Sequence, residues 1–194
     1  MSQQQPRILV FAGSLRKESF NKKLAKHAAA MLTDAGAEVT HIDLADYPMP
    51  IYDGDIEASE GLPENAKKLK AMFNEADGFL IASPEYNSSI SGALKNTIDW
   101  VSRKASPDEP GLRDFTGKVA AIVAASPGAL SGLRGLYHLR EILPNINVVV
   151  LPNMRAVSAA NDNITDAGIA DDGARKAVEN IAKRLVEVAR ALKT

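Results

Sequence analysis

The chain of 194 residues contains no cysteine, an absence that removes disulfides, thiolate zinc sites, iron–sulfur clusters and cysteine nucleophiles together. Histidine is scarce too. The three present, His27, His41 and His138, are far apart and none has a second at i+4, so no metal-ligand set is expected. Charge of one sign is also lacking: 23 Lys and Arg against 24 Asp and Glu leave a formal charge of -1. That balance suits neither nucleic acid nor an acidic membrane surface, and any cationic function has to be local. No apolar run approaches the roughly 18 residues of a membrane span. The start, Met1-Ser2-Gln3-Gln4-Gln5-Pro6, lacks the basic and apolar regions of a signal peptide. There is no repeat and no low-complexity tract. These absences lead to the expectation of a cytoplasmic protein folded as one domain over residues 1–194, with residues 1–5 flexible.

What is present alternates between strand and helix signals. Arg7 to Ala12, Gly78 to Ser83, Lys118 to Ala124 and Asn147 to Leu151 are nearly continuous apolar runs, as for strands covered on both faces. Glu38 to Leu44 alternates apolar and polar, like a strand nearer an edge. Between them lie helical stripes: Leu24, Ala28, Leu32 and Ala35 before Gly36; Ala66, Leu69, Met72 and Phe73 after Pro63; a helix over about Ser91 to Lys104; another over about Leu130 to Leu143. A last helix begins at Asp171 and Asp172 and ends at Arg190 and Lys193, a charge order that complements the helix dipole. Five strands alternating with five helices predict an α/β doubly wound parallel sheet with helices on both faces. The flavodoxin-like strand order 2-1-3-4-5 fits five strands, and places a ligand beyond the carboxyl ends of strands one and three.

Three polar loops fall at that edge. The first, Gly13-Ser14-Leu15-Arg16-Lys17-Glu18-Ser19-Phe20-Asn21, offers three short hydrogen-bonding side chains and a guanidinium beside the free N–H groups that open a helix. It matches neither a Walker loop nor a three-glycine dinucleotide fingerprint, so side chains do the binding in this reading. The alternative is that Ser19 caps the helix and Arg16 is merely solvated. The second loop, Ser83 to Gly92, leaves its strand through Pro84 and carries Glu85, Tyr86, Asn87 and Ser88. Its unpaired backbone suits the edge of a planar heterocycle; the alternative is a turn with Tyr86 as packing and Ser91 as a helix cap. The third, Ala125 to Gly132, is built of small residues that let a ligand approach the backbone.

Gly13-Ser14-Leu15-Arg16 through Ser19-Phe20-Asn21, joined to Pro84-Glu85-Tyr86-Asn87 and Gly92-Ala93-Leu94-Lys95-Asn96-Thr97-Ile98-Asp99-Trp100, resembles the NADPH-dependent FMN reductase family, with its bacterial quinone and chromate reductases and azoreductases. The resemblance implies bound FMN, with Ser14, Arg16, Ser19 and Asn21 on its phosphate, Pro84 to Ser88 along the isoalloxazine ring, and Ser126 and Gly128 on the ring's other side. It implies NADPH or NADH as donor, and quinones, azo compounds or metal oxyanions such as chromate as small-molecule acceptors, reduced in ping-pong order. No residue is expected to act as acid, base or nucleophile, since flavin N5 carries the chemistry. An FMN-binding electron carrier or regulator is the competing reading. Relatives often carry an aromatic where this chain has Ser88 and a proline where it has Ser91, so a more open site is expected. Glu85 is read as shaping the loop or an interface, Trp100 as core or as a dimer contact, and Arg134, Tyr137 and His138 as a solvated face or part of a homodimer or homotetramer.

Overall fold

The computed structural model describes residues 4–193, so the expected flexibility at the N-terminus concerns mainly residues outside that span. Strand β1 (Arg7–Ala12) is followed by helix α1 (Phe20–Asp34), β2 (Glu38–Asp43), a 3-10 turn at Leu44–Asp46, α2 (Gly54–Glu60), α3 (Glu64–Glu75) and β3 (Gly78–Ala82). A short hairpin of β4 (Glu85–Tyr86) and β5 (Ser89–Ile90) precedes α4 (Gly92–Val101). Then come β6 (Val119–Ala125), α5 (Leu133–Asn145), β7 (Val149–Val150), β8 (Arg155–Val157), α6 (Ala160–Asn163) and α7 (Asp172–Leu192).

The main sheet runs β2-β1-β3-β6-β7 with all four neighbouring pairs parallel, which is the expected 2-1-3-4-5 arrangement. Its fifth position differs from the expectation. Leu151 still donates its N–H to Ala120, and beyond it the chain leaves β6 at Pro152. The chain returns as β8, which pairs with Val123 to Ala125 of β6. Two short strands therefore fill the place of one.

Alternation along the strands splits the core into two layers. Ile8, Val10, Leu80, Val119, Ala121 and Val123 face α1 and α7, while Leu9, Phe11, Phe79, Ile81, Ala120 and Ile122 face α3, α4 and α5. Strands β1, β3 and β6 are almost wholly buried, whereas β2 is largely open to solvent, as its alternating sequence implies. Trp100 is 0% exposed, packs with Leu62 and Ala66, and donates its indole N–H to Pro50 at 2.8 Å. Of its two readings the core one is observed: buried in its own chain, Trp100 offers no surface to a second copy.

Candidate active site

The ligand-facing edge is set by strand register. Ala12 lies opposite Ala82, and Ala82 opposite Val123. Just beyond, Gly13 N–H donates to Ala82 at 2.9 Å, Ser83 N–H to Val123 at 2.8 Å, and Ser126 N–H to Val157 at 3.1 Å. The first two loops thus leave the sheet at one level, and β6 runs two residues further, paired with β8, before the third begins at the same edge.

In the first loop Gly13 is fixed by crowding, for a Cβ there would sit 2.9 Å from Leu94 Cβ. Ser91 makes that close approach permanent. Its hydroxyl accepts from Leu94 N–H as the cap of α4 and donates to the Gly13 carbonyl. So the capping reading of Ser91 is observed, with a second bond that sequence did not show. Ser14 and Ser19 are buried, and Arg16 is exposed. Ser14 Oγ accepts from Arg16 N–H at 3.3 Å. Ser19 occupies the N-cap position of α1 with extended backbone, yet its hydroxyl makes no capping bond, and no acidic side chain lies in the first turn. The alternative role of Ser19 as a side-chain cap is therefore not what forms. The first intrahelical bond is Lys23 N–H to the Ser19 carbonyl at 3.1 Å, which leaves the N–H groups of Phe20, Asn21 and Lys22 without helical partners. Uncompensated donors, two hydroxyls and a guanidinium make a donor set suited to a phosphate dianion.

Asn21 requires a correction. Its side-chain amide is spent on β6, donating to the Ala125 carbonyl at 2.9 Å and accepting from Ala125 N–H at 3.0 Å. It is buried between α1 and the sheet, so only its backbone N–H is free to meet a phosphate. The geometric reason is helical phase: the side chain leaves α1 on the side that packs on the sheet.

The second loop is not the open edge expected from sequence. Glu85 pairs with Ile90 and Tyr86 with Ser89 across the two-residue turn Asn87-Ser88, whose φ angles of 50° and 68° are those of a type I′ hairpin. Without a glycine the turn carried no strong sequence signal. Tyr86 is 48% exposed at this turn, so it is not ordinary packing. The third loop stays open: Pro127 to Leu130 are exposed, and Gly128 N–H donates to Ser126 Oγ at 3.3 Å.

Glu85 ties the second loop to the third. Its Oε2 accepts from the N–H groups of Arg134 and Gly135 at 3.0 and 3.2 Å, and its Oε1 from Arg134 Nε at 2.8 Å. Burial works against the carboxylate, but the Arg134 guanidinium and the Gly135 N–H outweigh it and hold this carboxyl below the usual carboxylate range. Glu85 is therefore ionised and committed, consistent with a loop-shaping part and unsuited to donating a proton. His138 Nδ1 shares a 3.1 Å hydrogen bond with Ser89 Oγ, further docking the hairpin on α5.

A second feature went unseen in sequence. Asn96 accepts from Tyr52 N–H at 2.7 Å and donates to the Pro50 carbonyl at 2.9 Å, and Trp100 one turn on reaches the same carbonyl. This clasp lays residues 47–53 along α4 and walls a cleft of ≈ 300 Å³ whose other side includes Leu15. The only clue was an Asn and a Trp four apart on one helix face. Among the described residues, no cluster of three or more His, Cys, Asp or Glu is placed to hold a metal, and no helix is long and apolar enough to cross a membrane.

Residues 6–162 match the sequence profile of the NADPH-dependent FMN reductases. A quinone reductase of Escherichia coli K12 is 37% identical over 160 residues, covering 82% of this chain and 80% of that one. An NAD(P)H-dependent FMN reductase of Pseudomonas aeruginosa is 36% identical over 176 residues, 89% of each. Among solved structures, the flavoenzyme NAD(P)H:(acceptor) oxidoreductase of Paracoccus denitrificans superimposes with a TM-score of 0.79 at 26% identity, covering 96% of this chain and 98% of that one.

Proposed function

The chain belongs to the NADPH-dependent FMN reductase family, and we propose that it is an FMN-dependent NAD(P)H oxidoreductase that passes two electrons to quinones and, more broadly, to azo compounds and metal oxyanions such as chromate. The observation that carries this reading is the meeting of an uncapped, acid-free helix start with two further polar loops at the carboxyl edge of the sheet. Ser14, Arg16 and Ser19, with the N–H groups of Phe20 and Asn21, hold the FMN phosphate. The backbone of Pro84, Glu85, Tyr86, Asn87 and Ser88 follows one side of the ring, and Ser126 and Gly128 the other.

Bound FMN supplies hydride acceptance from the nicotinamide and electron transfer to the acceptor. The chain's own residues bind, orient and shield. Arg16 and the helix start neutralise the phosphate. The hairpin turn fixes the loop beside the ring, and the small residues of the third loop leave room for donor and acceptor in succession. Use of one face in turn gives ping-pong order. No side chain of these loops has to move a proton, since Glu85 is held as a carboxylate by Arg134 and α5. A cytoplasmic location goes with this reading, because that is where reduced nicotinamide is supplied. Leu15 and Tyr86, exposed on the first two loops, support a homodimer or homotetramer as the working form.

The test is direct. Protein titrated with FMN is expected to bind it and then oxidise NADPH or NADH faster when a quinone is added. Binding of FMN with negligible nicotinamide turnover would instead make it an electron carrier or regulator.

A further inference from the structure

The N-cap of helix α5 is Gly132, which has φ of 92° and no side chain to cap with, and the first turn of the helix holds no acidic residue. Its N–H groups nevertheless find an acceptor, in another segment. Glu85 Oε2 receives the N–H groups of the second and third helical residues, Arg134 and Gly135, the two that an N-cap oxygen ordinarily serves. The side chain is 9% exposed, and its second oxygen is taken by the Arg134 guanidinium. Backbone contact completes the junction: a Cβ on Gly135 would come within 3.2 Å of the Ser89 carbonyl and 3.3 Å of Glu85 Cβ. The hairpin that follows β3 is thereby pinned to the helix that follows the third loop.

We propose that Glu85 is a positioning residue of the flavin ring site, a cap lent to α5 by the hairpin that fixes the spacing between Pro84–Ser88 and Ser126–Gly128. The proposal rests on the reading above that the ring lies between these two segments. A carboxylate serves here because one oxygen caps two N–H groups while the other answers Arg134, so the two segments are joined with charges balanced. The phosphate cradle lies on the first loop and is held by other bonds, through Ser91 and Asn21. None of these bonds involves Glu85, so its effect is expected to reach the flavin through the ring segments it spaces and to be felt by flavins with and without a phosphate.

The experiment compares FMN with riboflavin, which has the ring but no phosphate, on the intact apoprotein. Glu85→Gln is expected to weaken both several-fold by the same factor, and to shift the visible band of the bound ring. Arg16→Ala should weaken FMN only. Because Glu85→Gln also loosens the start of α5, Gly135→Ala provides a second arm. It raises intrinsic helix propensity while pushing the hairpin outward, and is expected to weaken both flavins several-fold by equal factors. Equal loss for the two flavins in either variant supports the clamp. Unchanged riboflavin affinity in a folded Glu85→Gln protein, or in Gly135→Ala where the first does not fold, overturns it. If the unaltered protein binds neither flavin, it is the FMN reading that fails.

Discussion

Asn21 and Ala125, 104 positions apart in sequence, exchange two hydrogen bonds, the Asn21 amide mimicking a strand neighbour at the end of β6. That exchange satisfies two backbone groups at the point where the third loop begins, and it makes Asn21 a stability residue. Asn21→Ala is expected to lower the stability of the apoprotein by roughly 2–4 kcal/mol, since two buried polar groups lose their partner. Urea unfolding without flavin is the measurement. An unchanged midpoint, with FMN affinity alone reduced, would return the side chain to the phosphate.

Arg16 presents the opposite case. It is exposed and lies on a loop whose packing depends on Gly13, Ser14 and Ser91. Arg16→Ala is expected to leave unfolding unchanged and to weaken FMN binding by about ten- to a hundredfold, the worth of a hydrogen bond to a charged group. Flavin fluorescence titration reads this directly. Equal affinity would show the guanidinium to be solvated.

Stability at low pH should depend on a buried cluster away from the site. Lys70 is bonded to Glu109 and Asp114 and to the carbonyls of Val101 and Arg103, all three charged side chains being 5% exposed or less. Burial raises the Glu109 carboxyl, but the Lys70 ammonium and the Ala105 N–H lower it by more. A carboxyl lower in the folded than in the unfolded chain contributes stability above its unfolded value, near 4.5, and loses it as pH falls through the folded value. Glu109→Gln is accordingly expected to flatten the acid side of a stability–pH curve. Lys70→Met, which strands two buried carboxylates, is expected to cost about 3–5 kcal/mol at neutral pH.

Ser88 sits in the left-handed region with φ of 68°, which costs a non-glycine residue roughly 1–2 kcal/mol. Ser88→Gly is expected to raise thermal stability slightly without altering FMN affinity. Ser88→Tyr accepts the strain and adds an aromatic beside the ring site, so the ratio of kcat/KM between small and bulky quinones is expected to change while FMN stays bound. An identical acceptor spectrum would make the residue at this position neutral.

The sheet was legible because continuous apolar runs mark strands buried on both faces, and β1, β3 and β6 are such strands. The fifth was read as one strand over 147–151, whereas its far half is a return strand, β8, whose three residues Arg155 to Val157 are too short and mixed to leave an apolar run. The convergence of the loops followed from topology. What each side chain does there did not, because Asn21 to Ala125 and Glu85 to Arg134 are pairings over 104 and 49 positions that exist only after folding. The hairpin at Asn87-Ser88 was hidden for a local reason, since its positive φ angles fall on residues other than glycine. Ser19 shows how a cap-like residue is ambiguous in sequence: it stands in the capping position with its hydroxyl left free.

The most direct test of the central claim is the visible spectrum of the FMN-loaded protein, recorded anaerobically before and after NADPH and again after a quinone is added. The expected result is flavin absorbance that bleaches with NADPH and returns with the quinone. A protein that takes up no flavin, or whose flavin absorbance is indifferent to NADPH and NADH alike, would contradict it.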